Sequence, residues 1–218
     1  MNPPSPFDLR IGHGFDLHRL EVGTGVTLGG VTIPCAYRMI AHSDGDVVIH
    51  ALCDALLGAI GRGDIGQWFP DTDPQFAGAD SRVLLGTVMQ AVIEAGFAVV
   101  NADLTVIAQT PKLAPHTPAM VAVLAPLLGI TPERLNFKAT THEGVDAIGE
   151  KRALAAHAVV LLAPRRRVRV RPRRAPLPAL PLWKAAGSPP APGLIPPWRC
   201  LPTCSDRQTA PMMPRSCR

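Results

Sequence analysis

The composition of the chain changes sharply after Pro164, and this change decides which part can form a hydrophobic core. Residues 1–164 carry 10 Lys and Arg against 16 Asp and Glu, a net charge of −6, whereas residues 165–218 carry 12 basic residues, one acidic residue and 12 prolines. Arg-Pro runs without periodicity cannot bury enough apolar surface to offset the entropy of the chain, so we expect disorder there. The sequence predicts an N-terminal extension at 1–8, one folded domain at 9–164 and an Arg/Pro-rich tail at 165–218.

The formal net charge of +5 is the sum of these two unlike parts, so it gives little reason to expect a nucleic-acid partner. The tail is either a basic extension that binds an acidic partner or nucleic acid, or a frame-shifted reading. Its scattered cysteines and missing periodicity favour the second interpretation. Only Cys35 and Cys53 precede the tail, no apolar run approaches about 18 residues, and the start lacks a secretory signal pattern. We therefore expect a cytoplasmic protein without a membrane partner.

Alternating strand and helix patterns fill the predicted domain. The first strand covers residues 9–18, and Gly29-Gly30 marks a hairpin turn between two short strands. Apolar residues at helical spacing predict a helix over 45–60. The later predictions are helices at 81–95 and 115–128, strands at 97–108, 136–140 and 155–162, and loops at 34–44 and 63–74. This order predicts an α/β fold of the α+β type, a two-layer sandwich with helices on one face of a mixed sheet.

One carboxylate and two histidines form the first candidate site. Asp16 and His18 share one face of the predicted first strand, because strand side chains repeat every two residues. With His50 they would supply an oxygen and two nitrogens, which suit zinc and leave a fourth position open. Asp46 and Asp54 lie one helical turn on either side of His50 and could orient its ring. An ordinary surface histidine on a solvated helix face explains the same pattern.

The turn Ala41-His-Ser-Asp-Gly-Asp46 precedes the predicted helix and forms the second candidate site. Free backbone N–H groups at the start of a helix attract an anion, and His42 and Ser43 add side-chain donors. The alternative is structural, with Ser43 or Asp44 acting only as the cap of the helix.

Two later segments also end strands in polar loops. Lys112 follows the strand ending near Ala108 and is either a phosphate contact or an ordinary solvated lysine. Thr140, Thr141 and Glu143 follow another strand, and two hydroxyls beside a carboxylate suit a phosphate held with a hard cation. Each of these signals is weak when taken alone.

Taken together and in order, these motifs resemble the 2-C-methyl-D-erythritol 2,4-cyclodiphosphate synthase family. The resemblance covers about residues 10–162. Its motifs are Arg10-Ile-Gly-His-Gly-Phe-Asp16-x-His18, Ala41-His-Ser-Asp-Gly-Asp-Val47, His50-Ala-Leu-x-Asp54, Gly63-Asp-Ile-Gly66, Phe69-Pro-Asp-Thr-Asp-Pro74, Asp80-Ser-Arg82 and Lys138-Ala-Thr-Thr141.

The resemblance implies a role for each matched position. It implies zinc or another divalent transition metal on Asp16, His18 and His50, and catalytic phosphate contacts from His42 and Thr141. A second cation, Mg²⁺ or Mn²⁺, is implied at Glu143. Substrate contacts are implied for the same Asp16 and His18, for His42, Ser43, Asp64, Ile65, Gly66, Phe69, Pro70, Asp71, Thr72 and Asp73, and for the nucleotide-binding positions Ala108, Gln109, Thr110, Pro111, Lys112, Leu113, Ala114, Thr140, Thr141, His142, Glu143, Ala147 and Glu150.

The resemblance further implies a homotrimer with active sites between subunits, and a cyclising phosphorus–oxygen lyase of non-mevalonate isoprenoid biosynthesis. Such an enzyme converts 4-diphosphocytidyl-2-C-methyl-D-erythritol 2-phosphate to 2-C-methyl-D-erythritol 2,4-cyclodiphosphate and CMP. The 2-phosphate attacks the β-phosphorus within one molecule, so positioning and charge neutralisation carry the reaction.

The chain departs from the family pattern after Glu143. Ala147 stands where an aromatic residue is common, and Glu150 stands where an arginine that contacts the nucleotide phosphates is expected. Lys151 or Arg152 would supply the missing charge if the loop shifted in register. Two alternatives stay open. One is a metal-dependent phosphoesterase that uses the same acidic and histidine-rich site, and the other, because of Ala147 and Glu150, is a non-catalytic nucleotide-binding member of the family.

Overall fold

The computed structural model of the chain describes residues 8–76 and 78–165. The predicted N-terminal extension, apart from Asp8, and the Arg/Pro-rich tail, apart from Arg165, lie outside the described residues. The domain boundaries and the disorder of the tail therefore stay predictions.

A five-stranded mixed sheet forms the centre of the described fold. Its strands are β1 (Arg10–Val22), β4 (Tyr37–Ile40), β5 (Phe97–Ile107), β6 (Leu135–Thr140) and β7 (Ala153–Pro164), and β2 (Gly25–Leu28) with β3 (Val31–Pro34) forms a separate antiparallel hairpin. The order across the sheet is β4-β1-β7-β5-β6, and only the β5–β6 pair is parallel. This pairing confirms the predicted mixed sheet and the Gly29-Gly30 hairpin.

Three longer helices cover one face of the sheet. They are α1 (Val47–Ala59), α3 (Ser81–Glu94) and α4 (Thr117–Leu128), and two single-turn helices are α2 (Ile65–Trp68) and α5 (Asp146–Gly149). The buried core joins the inner sides of α1, α3 and α4 to inward residues such as Leu104, Leu154 and Val160. The short helix α5 is an exception to the predicted single covered face, because Ile148 packs with Ala153 and Ala155 in a separate cluster.

Helix α1 lies unusually close to β1, and two glycines explain why. A Cβ added at Gly12 would lie 1.8 Å from the carbonyl oxygen of Ala55, and one added at Gly14 would lie 1.9 Å from that of Ala51. Any side chain at either position would push the helix away from the strand. The close packing matters for the site, because β1 carries Asp16 and His18 while α1 carries His50.

The predicted elements agree with the structure except at short elements and at some element ends. Helix α5 and a 3-10 turn at Pro132–Arg134 lie where no element is predicted. The loop predicted at 34–44 contains β4, and the loop predicted at 63–74 contains α2 and the start of a 3-10 turn at Pro74–Phe76. Short elements of this kind depend on pairing with β1 or on capping by Asp64, which local patterns do not display. The helix predicted from Pro115 begins at Thr117 and ends, as predicted, at Gly129 in the left-handed conformation.

Among the helices of residues 8–76 and 78–165, none combines the length and the apolar character that crossing a membrane requires. The cytoplasmic location stays a prediction.

Candidate metal centre and substrate cavity

Asp16, His18 and His50 meet at the end of β1 beside α1. Asp16 Oδ2 lies 3.0 Å from His50 Nδ1 and 3.1 Å from His18 Nε2, and the two ring nitrogens lie 3.1 Å apart. Within the described ranges, this is the group of His, Cys, Asp and Glu side chains whose ligand atoms converge closely enough for one ion. Alternation along the strand and the close approach of α1 thus bring the predicted trio together.

The converging atoms fit a divalent transition metal. One carboxylate oxygen and two imidazole nitrogens are ligands that zinc prefers, and three protein ligands leave a tetrahedral position for substrate. Atoms bound at about 2.0–2.2 Å from a tetrahedral ion lie about 3.3 Å from one another, close to the spacing found here. Burial raises the pKa of Asp16, but hydrogen bonds with His18 and His50 outweigh it, so the net shift is downward. The carboxylate is thus held in the charged form that binds a cation.

The surroundings of the His50 ring differ from the prediction. Its Nε2 lies 3.1 Å from Ser43 Oγ and 3.0 Å from Ser81 Oγ, whereas the predicted orienting carboxylates point elsewhere. Asp46 caps α1, and Asp54 accepts a hydrogen bond of 2.7 Å from the backbone N–H of Ile65. The expectation that Asp46 and Asp54 orient the ring is therefore wrong, because both carboxylates are used by backbone donors.

The predicted anion site at the start of α1 is also corrected. The backbone N–H groups of Val48 and Ile49 donate to Asp46 Oδ1, so the helix already has a carboxylate at its N-terminus. Asp46, not Ser43 or Asp44, is the cap, and it also accepts from Gly29 and Gly30 of the hairpin. Burial raises the pKa of Asp46, and these backbone hydrogen bonds oppose the rise. The carboxylate ties the β2–β3 hairpin to α1.

A cavity of about 490 Å³ opens directly over the three candidate ligands. The predicted site residues on its walls are Asp16, His18, His42, Ser43, His50, Ile65, Gly66, Phe69, Pro70 and Asp71. Ala41, the first residue of the turn that forms the second candidate site, also lies on the wall. Sequence reasoning missed the wall residues Ile40, Phe76 and Leu84, which reach the cavity from β4, the 3-10 turn and α3. No local motif could have revealed these three, since each is an ordinary apolar residue.

Three predicted contacts from the same loop stand outside the cavity wall. Asp64 caps α2 by accepting from Gln67 N–H, and Asp73 accepts from Gln75 N–H. Thr72 is exposed. The carboxylates of Asp64 and Asp73 therefore stabilise the backbone at the two ends of the segment that carries Ile65 to Asp71.

The predicted nucleotide-binding residues lie at the same end of the sheet but two strands away from β1 after β5, and three strands away after β6. Thr140 pairs with Ile107, which pairs with Ala155, which in turn pairs with Leu17 beside His18. Strand spacing therefore separates Ile107 from Leu17 by about 10 Å and Thr140 from Leu17 by about 14 Å. None of the residues at 108–114 or 140–150 reaches the cavity wall.

Local contacts dominate this second group of residues. Thr141 Oγ1 donates to Glu143 Oε1 over 2.9 Å, and His142 Nδ1 lies 2.8 Å from Asp146 Oδ2. Ala108 N–H donates to Thr140 O, which joins the two strand ends, and the Thr110–Pro111 peptide bond is cis. Gln109 Oε1 is buried without a hydrogen-bond partner within the described residues. Lys112 and Ala114 are exposed, while Leu113 belongs to the core.

The loop that departs from the family pattern contains its own ion pair. Glu150 accepts from Arg152 Nε over 2.7 Å, and the backbone N–H of Leu20 donates to Arg152 O over 2.9 Å. Arg152 therefore lies directly beside the strand that carries His18, while Ala147 packs against the α5 cluster. The carboxylate at position 150 is paired with a cation two residues away.

Comparisons with known proteins identify the family to which the chain belongs. The YgbB family model matches residues 9–163. The 2-C-methyl-D-erythritol 2,4-cyclodiphosphate synthase of Thioalkalivibrio sulfidiphilus is 57% identical over 155 residues, covering 71% of this chain and 97% of its own. The synthase of the same name from Pseudomonas aeruginosa is 53% identical over 157 residues, 72% of this chain and 100% of its own.

Solved structures similar to this chain also include cyclodiphosphate synthases. A 2C-methyl-D-erythritol-2,4-cyclodiphosphate synthase in a CDP-bound form is 44% identical, with a TM-score of 0.66 over 70% of this chain and 99% of its own. The IspF CDP complex of Plasmodium falciparum is 34% identical, with a TM-score of 0.64 over 72% of this chain and 97% of its own. The bifunctional IspDF of Campylobacter jejuni is 42% identical with a TM-score of 0.71, and this chain covers 44% of its length. The chain belongs to the YgbB family, whose members include the 2-C-methyl-D-erythritol 2,4-cyclodiphosphate synthases.

Proposed function

We propose that the chain converts 4-diphosphocytidyl-2-C-methyl-D-erythritol 2-phosphate to 2-C-methyl-D-erythritol 2,4-cyclodiphosphate and CMP, as a cyclising phosphorus–oxygen lyase. The observation that carries the proposal is the convergence of Asp16, His18 and His50 beneath an open cavity, in a chain 53–57% identical to synthases of that name. Relatives in complex with CDP support a cytidine nucleotide as part of the substrate.

The reaction makes modest chemical demands on the protein. A 2-phosphate oxygen forms a bond to the β-phosphorus, and the bond from that phosphorus to the oxygen of the α-phosphate breaks. CMP departs with the electron pair. The nucleophile is already an anion and needs no strong general base, so the protein must align the groups and neutralise their charge.

The described residues meet these demands at the cavity. Asp16, His18 and His50 would hold a zinc or similar ion, which supplies positive charge to the phosphate oxygens and polarises their bonds to phosphorus. His42 and Ser43 line the cavity beside the three ligands and offer hydrogen-bond donors to the same oxygens. Gly66, Phe69 and Asp71 form the wall suited to the methylerythritol part.

The second half of the reaction centre comes, in our proposal, from the loops after β5 and β6. Residues 108–114 and 140–143 would bind the cytidine diphosphate, with Thr141 on a phosphate and Glu143 on a second cation, Mg²⁺ or Mn²⁺. By strand spacing, the loop after β5 lies about 10 Å and the loop after β6 about 14 Å from the metal ligands of their own chain. A neighbouring subunit of a trimer would bring its loops to the cavity, which completes the site between chains.

Neither alternative is favoured. A metal-dependent phosphoesterase would use water as the nucleophile, usually between two close metals. The relatives at 53–57% identity are named as the cyclodiphosphate synthase, and this supports intramolecular attack. The same names argue against a non-catalytic role despite Ala147 and Glu150.

Phosphorus NMR of the full reaction tests the proposed activity. We expect the zinc-loaded protein, given magnesium or manganese, to release CMP and the cyclic diphosphate in equal amounts. Asp16→Asn is the matched control and should leave the substrate intact. Inorganic phosphate as product would instead identify a phosphoesterase, and intact substrate with wild-type protein would identify a non-catalytic member.

Co-expression of two inactive variants tests the shared site. Asp16→Asn damages the metal half of the site, which consists of Asp16, His18 and His50. Thr141→Val damages the nucleotide half, which consists of the loops at 108–114 and 140–150. In randomly mixed trimers, about a quarter of the sites would combine an intact metal half with an intact neighbouring loop, so about a quarter of the activity should return. Asp16→Asn mixed with His50→Ala should recover nothing, because both changes fall in one half. Absence of recovery in the first mixture would place the whole site in one chain.

A further inference from the structure

Ser81 is a buried residue that contacts the candidate metal ligand His50 at Nε2, the ring nitrogen that does not face Asp16 and His18. It is the first residue of α3, its side chain is fully buried, and its Oγ lies 3.0 Å from His50 Nε2. On its other side, Ser81 Oγ lies 2.5 Å from Asp44 Oδ1, and the backbone N–H of Ser81 donates to Asp44 Oδ2 over 3.0 Å. A continuous chain of contacts therefore runs from Asp44 through Ser81 to the ring of His50.

The direction of the hydrogen bonds in this chain follows from the protons available. A carboxylate has only acceptors, and a serine hydroxyl has one proton to donate. At 2.5 Å from Asp44, the Ser81 hydroxyl must donate to the carboxylate, since two bare oxygens would repel each other. Ser81 Oγ is then an acceptor toward His50, so Nε2 of the ring carries the proton. In a neutral imidazole this leaves Nδ1 with a free lone pair.

That lone pair points at the other two candidate ligands. His50 Nδ1 lies 3.0 Å from Asp16 Oδ2 and 3.1 Å from His18 Nε2. We propose that Asp44 and Ser81 are positioning residues that hold His50 in the tautomer with a protonated Nε2, and so aim its Nδ1 at the metal. The inference rests on the proposed function only in taking Asp16, His18 and His50 as metal ligands.

Ser43 provides an internal comparison. Its Oγ lies 3.1 Å from the same Nε2, almost as close as that of Ser81. The other hydrogen bond of Ser43 Oγ comes from the backbone N–H of Gly45, which donates to it over 3.3 Å. Since this contact leaves the Ser43 hydroxyl proton uncommitted, Ser43 can accept from the ring but does not fix the direction of the hydrogen bond.

Zinc affinity of the full-length apoprotein, measured by competition with a chromophoric chelator, tests the proposal without any turnover. Partners that orient a metal-bound histidine usually contribute about 10–100-fold to affinity. We expect Ser81→Ala to weaken zinc binding by about that factor and Ser43→Ala to weaken it less. His50→Ala should abolish tight binding. If His50→Ala binds zinc like the wild type, the metal site itself is wrong; if only Ser81→Ala does so, the positioning role is wrong.

Asp44→Asn separates hydrogen-bond direction from packing. The asparagine amide keeps the size of the side chain but can donate to Ser81, which then donates to His50 Nε2 and moves the ring proton to Nδ1. We expect zinc affinity to fall at least about tenfold with little change in the melting temperature of the apoprotein. A loss of melting temperature without a loss of zinc affinity would show that Asp44 is merely structural and would overturn the proposal.

Nitrogen-15 NMR of the metal-free protein reads the tautomer directly. The His50 ring, assigned by its absence from the His50→Gln spectrum, should carry a proton on Nε2, hydrogen-bonded to Ser81; without a metal, Nδ1 can also hold a proton, donated to Asp16 Oδ2 3.0 Å away. Asp44→Asn should populate rings that lack the Nε2 proton. A wild-type ring with no proton on Nε2 would overturn the inference whatever the zinc affinities are.

Discussion

The metal half and the nucleotide half of the candidate site are held in place by different kinds of contact. His50 touches Asp16 and Ser81, which lie 34 and 31 positions away in the sequence. In the loop after β6, Thr141 bonds to Glu143 and Glu150 bonds to Arg152, each two positions away. The metal half is thus a product of tertiary packing, whereas these polar side chains of the loop after β6 are paired within the loop. The departures from the family pattern, Ala147 and Glu150, fall in this loop, while the metal half keeps every matched residue.

The largest effect is expected from His50→Ala. Removing a ligand should cost more than the 10–100-fold typical of an orienting partner, so we expect zinc affinity to fall by more than about 100-fold and activity to fall with it. His116→Ala, which removes a histidine at the start of α4, is the control and should bind zinc normally. Equal affinities of the two variants would show that the metal half is not a metal site.

Asp46→Ala should be the most destabilising change beside the metal half. Four backbone N–H groups, those of Gly29, Gly30, Val48 and Ile49, would lose their acceptor inside the fold. Loss of a helix cap together with unsatisfied buried donors predicts a fall of about 3 kcal/mol in the free energy of unfolding, measured with urea.

Asp146→Ala is the matched change in the nucleotide loop, where one carboxylate oxygen accepts from Ile148 N–H on an exposed turn. It should destabilise the protein much less than Asp46→Ala. A loss as large as that of Asp46→Ala would contradict the view that the polar side chains of the loop make mainly local contacts.

Glu150→Arg should improve substrate binding by the nucleotide loop. In the proposed trimer, the carboxylate faces the diphosphate and repels it, so reversing its charge should lower KM about fivefold at low salt with a small change in kcat. Glu133→Arg makes the same change of charge on the exposed 3-10 turn at Pro132–Arg134 and controls for the net charge of the protein. An unchanged KM would mean that Arg152 already neutralises Glu150 in the complex.

The smallest expected effect is a difference between Asp16 and Asp146 in how their contributions to the stability of the fold change with pH. The pKa of Asp16 is lowered by hydrogen bonds with both histidines against the opposing effect of burial, and that of Asp146 is lowered mainly by the backbone N–H of Ile148. A lowered pKa stabilises the folded state above the unfolded-state pKa of about 3.9, and the gain is lost as the pH falls.

In urea titrations of the metal-free protein, the stability gap between the wild type and Asp16→Asn should therefore shrink as the pH falls below about 4. The corresponding gap for Asp146→Asn should change less, because its carboxylate is exposed and screened by water. A larger change for Asp146 would reverse the comparison between the two halves.

Much of the fold was predictable from periodicity. The helix over 47–59, the long strands β1, β5 and β7, and the hairpin at Gly29-Gly30 follow from apolar spacing and turn residues. The missed elements include β4, α2 and α5, each of which has four residues and so shows too little periodicity to predict an element. The cap of α1 was also misassigned, because Ser43, Asp44 and Asp46 are all good capping residues and the choice depends on where the hairpin lies.

By itself, the sequence determined the chemistry of the site: the ligand types, the strand alternation that puts Asp16 beside His18, and the helix that carries His50. Tertiary structure alone decided which groups surround that histidine, since Asp44 and Ser81 are 37 positions apart and meet only when α3 packs beside α1. It also decided that β7 and β5 separate the metal ligands from Thr141 and Glu143. The physical reason is that side-chain period is a local property of the backbone, whereas strand order and helix packing depend on how the whole chain buries its apolar surface.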